Sequence, residues 1–200
     1  MIDIVRGEEA GMEFRKFTVA VLAVVSSLLT VNIAISSPGD PAPDLNSLSD
    51  ADLKILTIRL ERTACYGTCP AYTVTIHGDG RVEYSGQRNV KEKAARDGQI
   101  EMRSIAELLS QFRRAKFLSI SKDYSEEKCT CGQCTDMPTA IIELKVSGIT
   151  HRVKHYHGCT CAPKSLFGLE SAIDKAANSD QWIGDVSKQG PYGFTCFGPK

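Results

Sequence analysis

Cysteine is the residue type that most restricts how this chain can fold. The 200-residue sequence contains eight cysteines, and all of them lie beyond Ser37. They are Cys65, Cys69, Cys129, Cys131, Cys134, Cys159, Cys161 and Cys196. An even number of cysteines in an exported chain is typical of a disulfide framework, because thiols oxidise in pairs outside the cytosol. The compartment of the chain therefore decides how its cysteines are interpreted.

An apolar segment near the N-terminus predicts export. The stretch FTVAVLAVVSSLLTVNIAI, residues 17–35, carries no charge, and Arg15 and Lys16 stand just before it. Ala34-Ile35-Ser36 follows the small-x-small pattern of a cleavage site, so residues 1–36 are interpreted as a signal peptide. If the run stays uncleaved it is long enough to span a bilayer, which makes a membrane anchor the alternative. Both outcomes predict a periplasmic or extracytoplasmic location for the remainder.

Charge and motifs argue against several classes of function. The chain has 24 basic and 24 acidic residues, and the part beyond Ser36 has 21 basic and 20 acidic ones. This balance offers no basic surface for a phosphate backbone, so a nucleic-acid partner is not expected. The sequence also lacks a phosphate loop, a Gly-x-Ser-x-Gly elbow and a His-Glu-x-x-His motif. A non-catalytic role is therefore favoured over an enzymatic one.

Composition divides the exported part into three segments. The stretch SSPGDPAPD opens residues 37–47 and is rich in proline and serine, as flexible linkers are. Residues 48–186 are predicted to form a single domain, because their length suits one hydrophobic core. Residues 187–200 are interpreted as a C-terminal tail.

Hydrophobic periodicity within residues 48–186 predicts the order strand, hairpin, helix, hairpin, helix. The strand alternation is carried by Leu56, Ile58, Leu60, Tyr72, Val74, Ile76, Val82 and Tyr84, and later by Ala140, Ile142, Leu144 and Val146. The helical stripes are Ile105, Leu108, Leu109 and Phe112, and then Leu166, Leu169 and Ile173. Because hairpin strands pair antiparallel, the predicted fold class is α+β. Its antiparallel sheet is built from hairpins with two packed helices, and the hairpin-helix unit occurs twice.

The segment around the first two cysteines resembles a known family. RTACYGTCPAYTVTI, residues 62–76, has the pattern Arg-x-x-Cys-aromatic-Gly-x-Cys-Pro-x-Tyr. This pattern is similar to the signature of a bacterial family of exported domains of unknown function. The matching residues are Arg62, Cys65, Tyr66, Gly67, Cys69, Pro70 and Tyr72. The resemblance implies an exported α+β domain over residues 56–183, and it supplies no catalytic residues.

The positions of the cysteines suggest two groups of disulfides. Cys65 and Cys69 bracket a short loop between two strands, where a bridge forms if the α-carbons come within about 7 Å. Because hairpin strands are antiparallel, the cysteines before and after the second hairpin should meet at one end. That group is Cys129, Cys131, Cys134, Cys159 and Cys161. Its odd member leaves Cys196 as a natural partner, although the individual pairing stays open.

A metal site is the alternative use of the second cysteine group. HYHGCTC places His155, His157, Cys159 and Cys161 at alternate positions, so the four side chains share one face if the strand continues. With the three cysteines of KCTCGQC nearby, thiolate and imidazole ligands suit zinc or cuprous copper. The competing interpretation makes His155 a residue at the edge of the core and His157 a surface residue. That interpretation requires no cofactor.

A third hypothesis makes the protein a thiol–disulfide oxidoreductase that uses the CGQC segment from Cys131 to Cys134. This spacing lowers a thiol pKa where the first cysteine caps a helix. Here Pro138 and a strand pattern follow, so the expected helix is missing. Arg62, beside the first cysteine loop, is a candidate anion ligand or else a solvated residue at a strand end. The sequence as a whole favours a disulfide-stabilised binding or structural module of the bacterial cell envelope, whose partner is an envelope protein or a small ligand.

Overall fold

One large sheet with helices packed on one face forms the folded part of the chain. The computed structural model describes residues 45, 48–129, 133–184 and 196–197. The strands are β1 Thr57–Arg62, β2 Ala71–His77, β3 Arg81–Arg88, β4 Ala95–Gln99, β5 Asp123–Tyr124, β6 Gln133–Cys134, β7 Thr139–Val146, β8 Ile149–Tyr156 and β9 Cys196–Phe197. The seven-stranded sheet has the order β4-β3-β2-β1-β7-β8-β5, whereas β6 and β9 form a separate pair. The predicted α+β class is confirmed.

Some predictions fall outside the described residues. They are the signal peptide or anchor at 1–36, the linker at 37–47 except Leu45, Cys131, and the tail at 187–200 except residues 196–197. The predicted start of the domain, Leu48, lies within the described residues. Leu45, inside the predicted linker, is buried against the core, and its carbonyl oxygen accepts a hydrogen bond of 2.9 Å from Arg113. In the described part of the chain, no helix has the length and apolarity needed to cross a bilayer.

The register of the central strands builds the core from rows of apolar side chains. Val74, Leu60, Ile142 and Val153 lie opposite one another across β2, β1, β7 and β8, and all four are fully buried. Alternate residues of a strand point to opposite faces. On the other face, β1 carries Thr57, Arg59 and Glu61, which are partly exposed. The two predicted hairpins, β2–β3 and β7–β8, therefore lie in one sheet with β1 between them.

Helices cover the apolar face of the sheet. They are α1 Asp50–Ile55, α2 Met102–Arg114, α3 Lys164–Ala177 and α4 Asp180–Ile183, with 3-10 turns at Phe117–Ser119 and Glu126–Lys128. The predicted stripes of α2 and α3 are confirmed as buried. From the short helix α4, Trp182 stacks on Tyr84 of β3 with ring centroids 5.0 Å apart. Amphipathic helices on one face of a sheet are the arrangement that the periodicity predicts.

Two elements differ from the periodicity prediction. The alternation in LKILTIRLER, residues 53–62, predicts one strand, but its first three residues belong to α1, because Ser49 and Asp52 form a capping box that starts a helix there. β4 was not predicted, because its residues ARDGQ are largely exposed and show no apolar alternation. It is an edge strand held by backbone pairing with β3, and its charged residues Arg96 and Asp97 suit an exposed edge.

The two ends of the sheet have different compositions. The end that we call the cysteine edge consists of residues 63–70, 125–129, 133–138 and 157–163, which meet where β1 and β8 finish and β2 and β7 begin. The opposite end, which we call the turn edge, carries the hairpin turns at 78–80 and 147–148. Ser147 and Gly148 have φ values of 48° and 74°, as a tight two-residue hairpin turn requires.

Candidate functional site

Disulfides join the loops of the cysteine edge, as the sequence predicts. Cys65 is bonded to Cys69, and Cys129 is bonded to Cys159, each with α-carbons 5.5 Å apart. Cys134 and Cys161 are disulfide-bonded as well. The backbone of Cys134 in β6 lies opposite Cys196 in β9. Within the described residues no cysteine is free.

The first cysteine loop is held from two sides. The side-chain amide nitrogen of Asn89 donates hydrogen bonds to the carbonyl oxygens of Gly67 and Cys69 at 3.3 and 3.1 Å. On the other side, the Tyr66 amide donates to the carbonyl oxygen of Asp136 in the second cysteine loop at 3.2 Å. The Tyr66 side chain itself is 85% exposed. The two cysteine loops therefore support one another directly, although only backbone atoms make this contact.

Tyr156 organises the second cysteine loop. Its hydroxyl donates to the carbonyl oxygen of Cys134 at 2.7 Å and accepts from the amide of Met137 at 3.2 Å. Gly158 must stay small here, because a β-carbon at this position would lie 2.1 Å from the Cys134 carbonyl oxygen. These contacts fix the backbone just before β7. Met137 and Pro138 in this segment form one wall of a cavity.

A buried ion-pair network lies under the loops, in the last core row of the sheet. Tyr72, Arg62, Ala140 and His155 lie opposite one another across β2, β1, β7 and β8. This row continues the apolar rows of the core, yet three of its four members are polar. Buried polar groups require partners, and the partners here come from α3.

Arg62 pairs with two carboxylates of α3. Its Nη1 lies 3.0 Å from Glu170 Oε2 and its Nη2 lies 2.8 Å from Asp174 Oδ2. The Asp174 carboxylate also accepts hydrogen bonds from the hydroxyls of Tyr72 at 2.6 Å and Ser179 at 3.0 Å. The expectation of a solvated arginine at a strand end is therefore replaced by a mostly buried guanidinium whose charge is balanced inside the domain.

Glu170 joins this ion pair to the two histidines. His155 Nδ1 lies 2.6 Å from Glu170 Oε1, and His157 Nε2 lies 2.8 Å from Glu170 Oε2. The ring of Phe167 packs on both imidazoles at centroid distances of 4.5 and 4.7 Å. Within the described residues, His155 Nε2 is buried without a hydrogen-bond partner.

Electrostatics fix the charges of the network. Burial alone raises the pKa of the Glu170 carboxyl, but hydrogen bonds from His155 and His157, with the charge interactions of His157 and Arg62, lower it to about 2. Burial lowers the pKa of the Arg62 guanidinium, but the charge interactions with Asp174, Tyr72 and Glu170 and the hydrogen bond to Asp174 together outweigh burial and raise this pKa overall. Burial raises the pKa of the Tyr72 hydroxyl. At neutral pH the site therefore holds a guanidinium, a Glu170 carboxylate and an uncharged phenol.

A cavity of about 300 Å³ opens beside the network. Its polar lining consists of Arg62, Tyr72, Thr139, His157, Asp174 and Asp180, and its remaining lining of Cys69, Pro70, Met137, Pro138 and Ile183. The walls come from both cysteine loops and from α4, whereas the polar base comes from the strands and α3. A mostly apolar cavity with a few convergent polar groups is typical of small-molecule sites.

The predicted metal ligands fall into two groups, since ligand atoms of Cys129, Cys159 and Cys161 lie within 4.8 Å of one another, as do those of His155, His157 and Glu170. β8 ends at Tyr156 and a turn follows, so the alternation that would align His155 and His157 with Cys159 and Cys161 does not continue. The two histidines contact Glu170, whereas Cys159 is bonded to Cys129. Cys134 lies in a strand and not at a helix N-terminus, so the helix that lowers a thiol pKa in redox motifs is absent at this position.

Sequence reasoning missed Glu170 and Asp174. A signal for Glu170 exists, because Leu166, Glu170, Ile173 and Ala177 recur at the spacing of one helix face, and all four are buried. A carboxylate within an apolar stripe is almost never buried without a partner. The partner itself was not readable, since Arg62 lies 108 residues earlier in the chain.

The fold and the site together define a two-layer α+β domain whose buried ion-pair network borders a disulfide-walled cavity. The chain belongs to the family described as Domain of unknown function (DUF6438), which it matches over residues 56–177. That range runs from the residue before β1 to the end of α3, and it includes Arg62, Tyr72, His155, His157, Glu170 and Asp174. A search of curated proteins finds no match to this chain.

Proposed function

We propose that this protein is an exported binding module of the bacterial cell envelope that holds a small molecule in the cavity of the cysteine edge. Export is supported by the charge-free segment at residues 17–35 and by the position of all eight cysteines beyond it. Binding is supported by the cavity, whose volume of about 300 Å³ falls at the lower end of the range for small-molecule sites.

The observation that carries this proposal is the position of the signature residues. Of the seven residues that carry the resemblance to the bacterial exported family, Arg62, Cys69, Pro70 and Tyr72 line the cavity. Arg62 and Tyr72 supply its polar base, and Cys69 and Pro70 supply part of its wall. An arginine, a disulfide cysteine, a proline and a tyrosine stabilise a fold in different ways, so stability alone does not explain why they occur together. All four contribute to one feature if they shape a binding site.

The energetics of the network point the same way. A buried ion pair is often no more stabilising than apolar residues of the same volume, because desolvation of both charges is costly. Arg62, Glu170 and Asp174 are therefore a poor choice for stability alone. Perturbed charged groups beside a cavity are typical of functional sites. Since these groups already bond to one another, we favour recognition over catalysis.

Ligand screening with a matched pair of variants tests the proposal. Met137 lines the cavity, so we expect Met137→Trp to fill it and to abolish binding of any small molecule found by ligand-observed NMR. Met102 is 48% exposed on α2, so Met102→Trp is the control and should leave binding unchanged. Equal binding to both variants, or no binding by the native mature chain, would overturn the proposal.

A metal site is the second candidate function. The geometry favours the two histidines and Glu170 as its ligands over the cysteines that the sequence suggested. One ligand atom each of His155, His157 and Glu170 lies within 4.8 Å of the others, and two histidines with a glutamate form a known zinc set. Cuprous copper also accepts imidazole. The nitrogen–oxygen distances of 2.6 and 2.8 Å are nevertheless shorter than the roughly 3.3 Å between ligands of a tetrahedral zinc ion.

Metal analysis separates the two candidates. If the metal hypothesis holds, the mature chain should bind one zinc or copper ion tightly, and His157→Gln should abolish that binding. His151→Gln is the control, since His151 contacts the carbonyl oxygen of Ile120 at 3.1 Å and no carboxylate. A native chain that remains metal-free after incubation with either ion would exclude the hypothesis.

A further inference from the structure

We infer that the cavity of the cysteine edge selects a small organic cation, namely an alkylammonium group carried on a short apolar chain. This inference rests on the proposed function, since it assigns the ligand class of the same cavity. It is argued from the balance of charges around the base and from the apolar walls.

The fixed charges at the cavity have a negative balance. The single guanidinium of Arg62 is paired with Glu170 at 3.0 Å and with Asp174 at 2.8 Å, which leaves one carboxylate in excess. Asp180 adds a further carboxylate to the lining. In or beside this space, Arg62 carries one positive charge, whereas Glu170, Asp174 and Asp180 carry three negative charges. A cation that enters the cavity therefore gains electrostatic energy.

The position of Asp180 makes this balance accessible to a ligand. Asp174 is already engaged by Arg62, Tyr72 and Ser179, so its carboxylate is largely satisfied. Asp180 begins α4 and is exposed, and within the described residues it forms no ion pair. It is therefore the carboxylate that a ligand cation can approach without breaking the network.

The walls suit an unbranched apolar chain. Pro70, Pro138, Met137 and Ile183 face the same space as the two aspartates. Prolines and a thioether offer rigid or adaptable apolar surface without hydrogen-bond donors. A methylene chain that lies on this surface would carry its ammonium group to the acidic side. The cavity volume of about 300 Å³ accommodates such a molecule.

A carboxylate ligand is the competing possibility, because Arg62 has hydrogen-bonding capacity left over. A guanidinium has five N–H donors, and the bonds to Tyr72, Glu170 and Asp174 engage its three nitrogens without using both hydrogens of Nη1 and Nη2. A carboxylate that reached the remaining donors would approach Glu170 and Asp174, which lie within 3.2 Å of the same guanidinium. Repulsion from these two charges opposes such a ligand.

Three probes with one chain length and different head groups test the inference: pentylamine, 1-pentanol and pentanoate. Binding to the mature, oxidised chain is followed by amide chemical shifts or calorimetry at pH 7.5. We expect pentylamine to bind at least tenfold more tightly than pentanoate and more tightly than pentanol. Added salt should weaken the binding of pentylamine and leave that of pentanol nearly unchanged.

Variants at two aspartates locate the charge effect. We expect Asp180→Asn to weaken pentylamine binding about fivefold, as the loss of one partly exposed charge pair does, and to leave pentanol binding unchanged. Asp97 is exposed on the edge strand β4, away from the cavity lining, so Asp97→Asn should change neither affinity. An equal loss from both variants would contradict a local role of Asp180.

The outcomes distinguish the inference from the proposed function on which it rests. If none of the three probes binds and the wider screen also finds no ligand, the proposal of a small-molecule site fails. If pentanoate binds most tightly, the site exists but its selectivity is anionic, which would overturn the cation inference and implicate the remaining donors of Arg62. If pentanol and pentylamine bind equally, charge plays no part and the inference fails as well.

Discussion

The two edges of the sheet close the same core by different physical means. At the turn edge a hydrogen bond and aromatic packing make the contacts: the Asp52 carboxylate of α1 accepts a hydrogen bond of 2.7 Å from Ser147, and Phe112 and Phe117 pack at a centroid distance of 4.9 Å. At the cysteine edge, disulfides and an ion-pair network join segments that are far apart in the sequence. Covalent cross-links and buried charges therefore lie at the same edge as the cavity that we propose as a binding site.

The buried histidines show the difference most clearly. His151, at the turn edge, contacts the carbonyl oxygen of Ile120 at 3.1 Å, and burial lowers its pKa. His155, four residues later on the same strand, contacts the Glu170 carboxylate at 2.6 Å. A neutral partner keeps the first histidine a structural residue, whereas a charged partner links the second to Arg62 and to the cavity.

The sharpest way to break the comparison is to remove the guanidinium of the network. Arg62→Met should cost about 3–5 kcal/mol of unfolding free energy, because it leaves Glu170 and Asp174 with uncompensated buried charge. Arg59→Met on the same strand is the control, since Arg59 pairs with Glu61 at partial exposure and should cost less than about 0.5 kcal/mol. Urea denaturation of both variants measures the difference. Similar losses of unfolding free energy in the two variants would mean that removal of Arg62 leaves no uncompensated buried charge.

The disulfides of the cysteine edge should contribute unequally. Loop-closure entropy gives about 3.5 kcal/mol for Cys129–Cys159 and about 2 kcal/mol for Cys65–Cys69, whose sequence separations are 30 and 4. Replacing both cysteines of each pair by serine and measuring urea unfolding tests this order. A larger loss from the shorter loop would show that it does more than close a turn, for example by bracing the cavity wall.

Acid should weaken the cysteine edge through Glu170. Its folded pKa of about 2 lies below the unfolded value of about 4.3, so its stabilisation is complete above the unfolded pKa and is lost as pH falls through the folded one. This contributes about 3 kcal/mol to the stability difference between pH 6 and pH 2. The measurement is urea unfolding at a series of pH values.

Glu170→Gln should flatten that pH dependence, because glutamine does not titrate in this range. Glu107, on the exposed face of α2, is the matched control, and Glu107→Gln should retain the native slope. Parallel slopes for all three proteins would mean that Glu170 is not held ionised by the network.

The smallest effect is expected at the turn edge. Ser49→Ala removes the N-cap of α1, where the serine side chain accepts from the Asp52 amide at 3.2 Å. The melting temperature should fall by about 2–4 °C, and ligand binding at the cysteine edge should not change. A larger fall, or a loss of binding, would mean that the two edges are coupled through the sheet.

Much of the fold followed from periodicity, since Ile58, Leu60 and Val74 alternate with polar residues and Leu166 and Ile173 recur at helical spacing. The elements that periodicity missed have no apolar pattern to detect. β4 is a largely exposed edge strand, and α1 begins with a capping box. The topology of the second hairpin also predicted that its flanking cysteines would meet, and disulfides at this edge are confirmed.

The candidate site was less accessible to such reasoning. His155 and His157 attracted interest for their neighbouring cysteines, whereas their contact in the structure is Glu170. The motif drew attention to Arg62, but it did not predict that the guanidinium is mostly buried. Each of these contacts joins a strand to a helix across the core, and a sequence pattern describes one element at a time.

The amino-acid sequence alone determined the α+β class, the two hairpins, the buried faces of the helices and the pairing tendency of the cysteines, because these depend on local periodicity and on thiol chemistry. Only the tertiary structure placed α3 over the last polar row of the sheet, so that Arg62 meets Glu170 and Asp174 beside a cavity. Electrostatic interactions act between atoms a few ångströms apart, regardless of their separation along the chain. For that reason the charge balance of the site emerges only when the chain is folded.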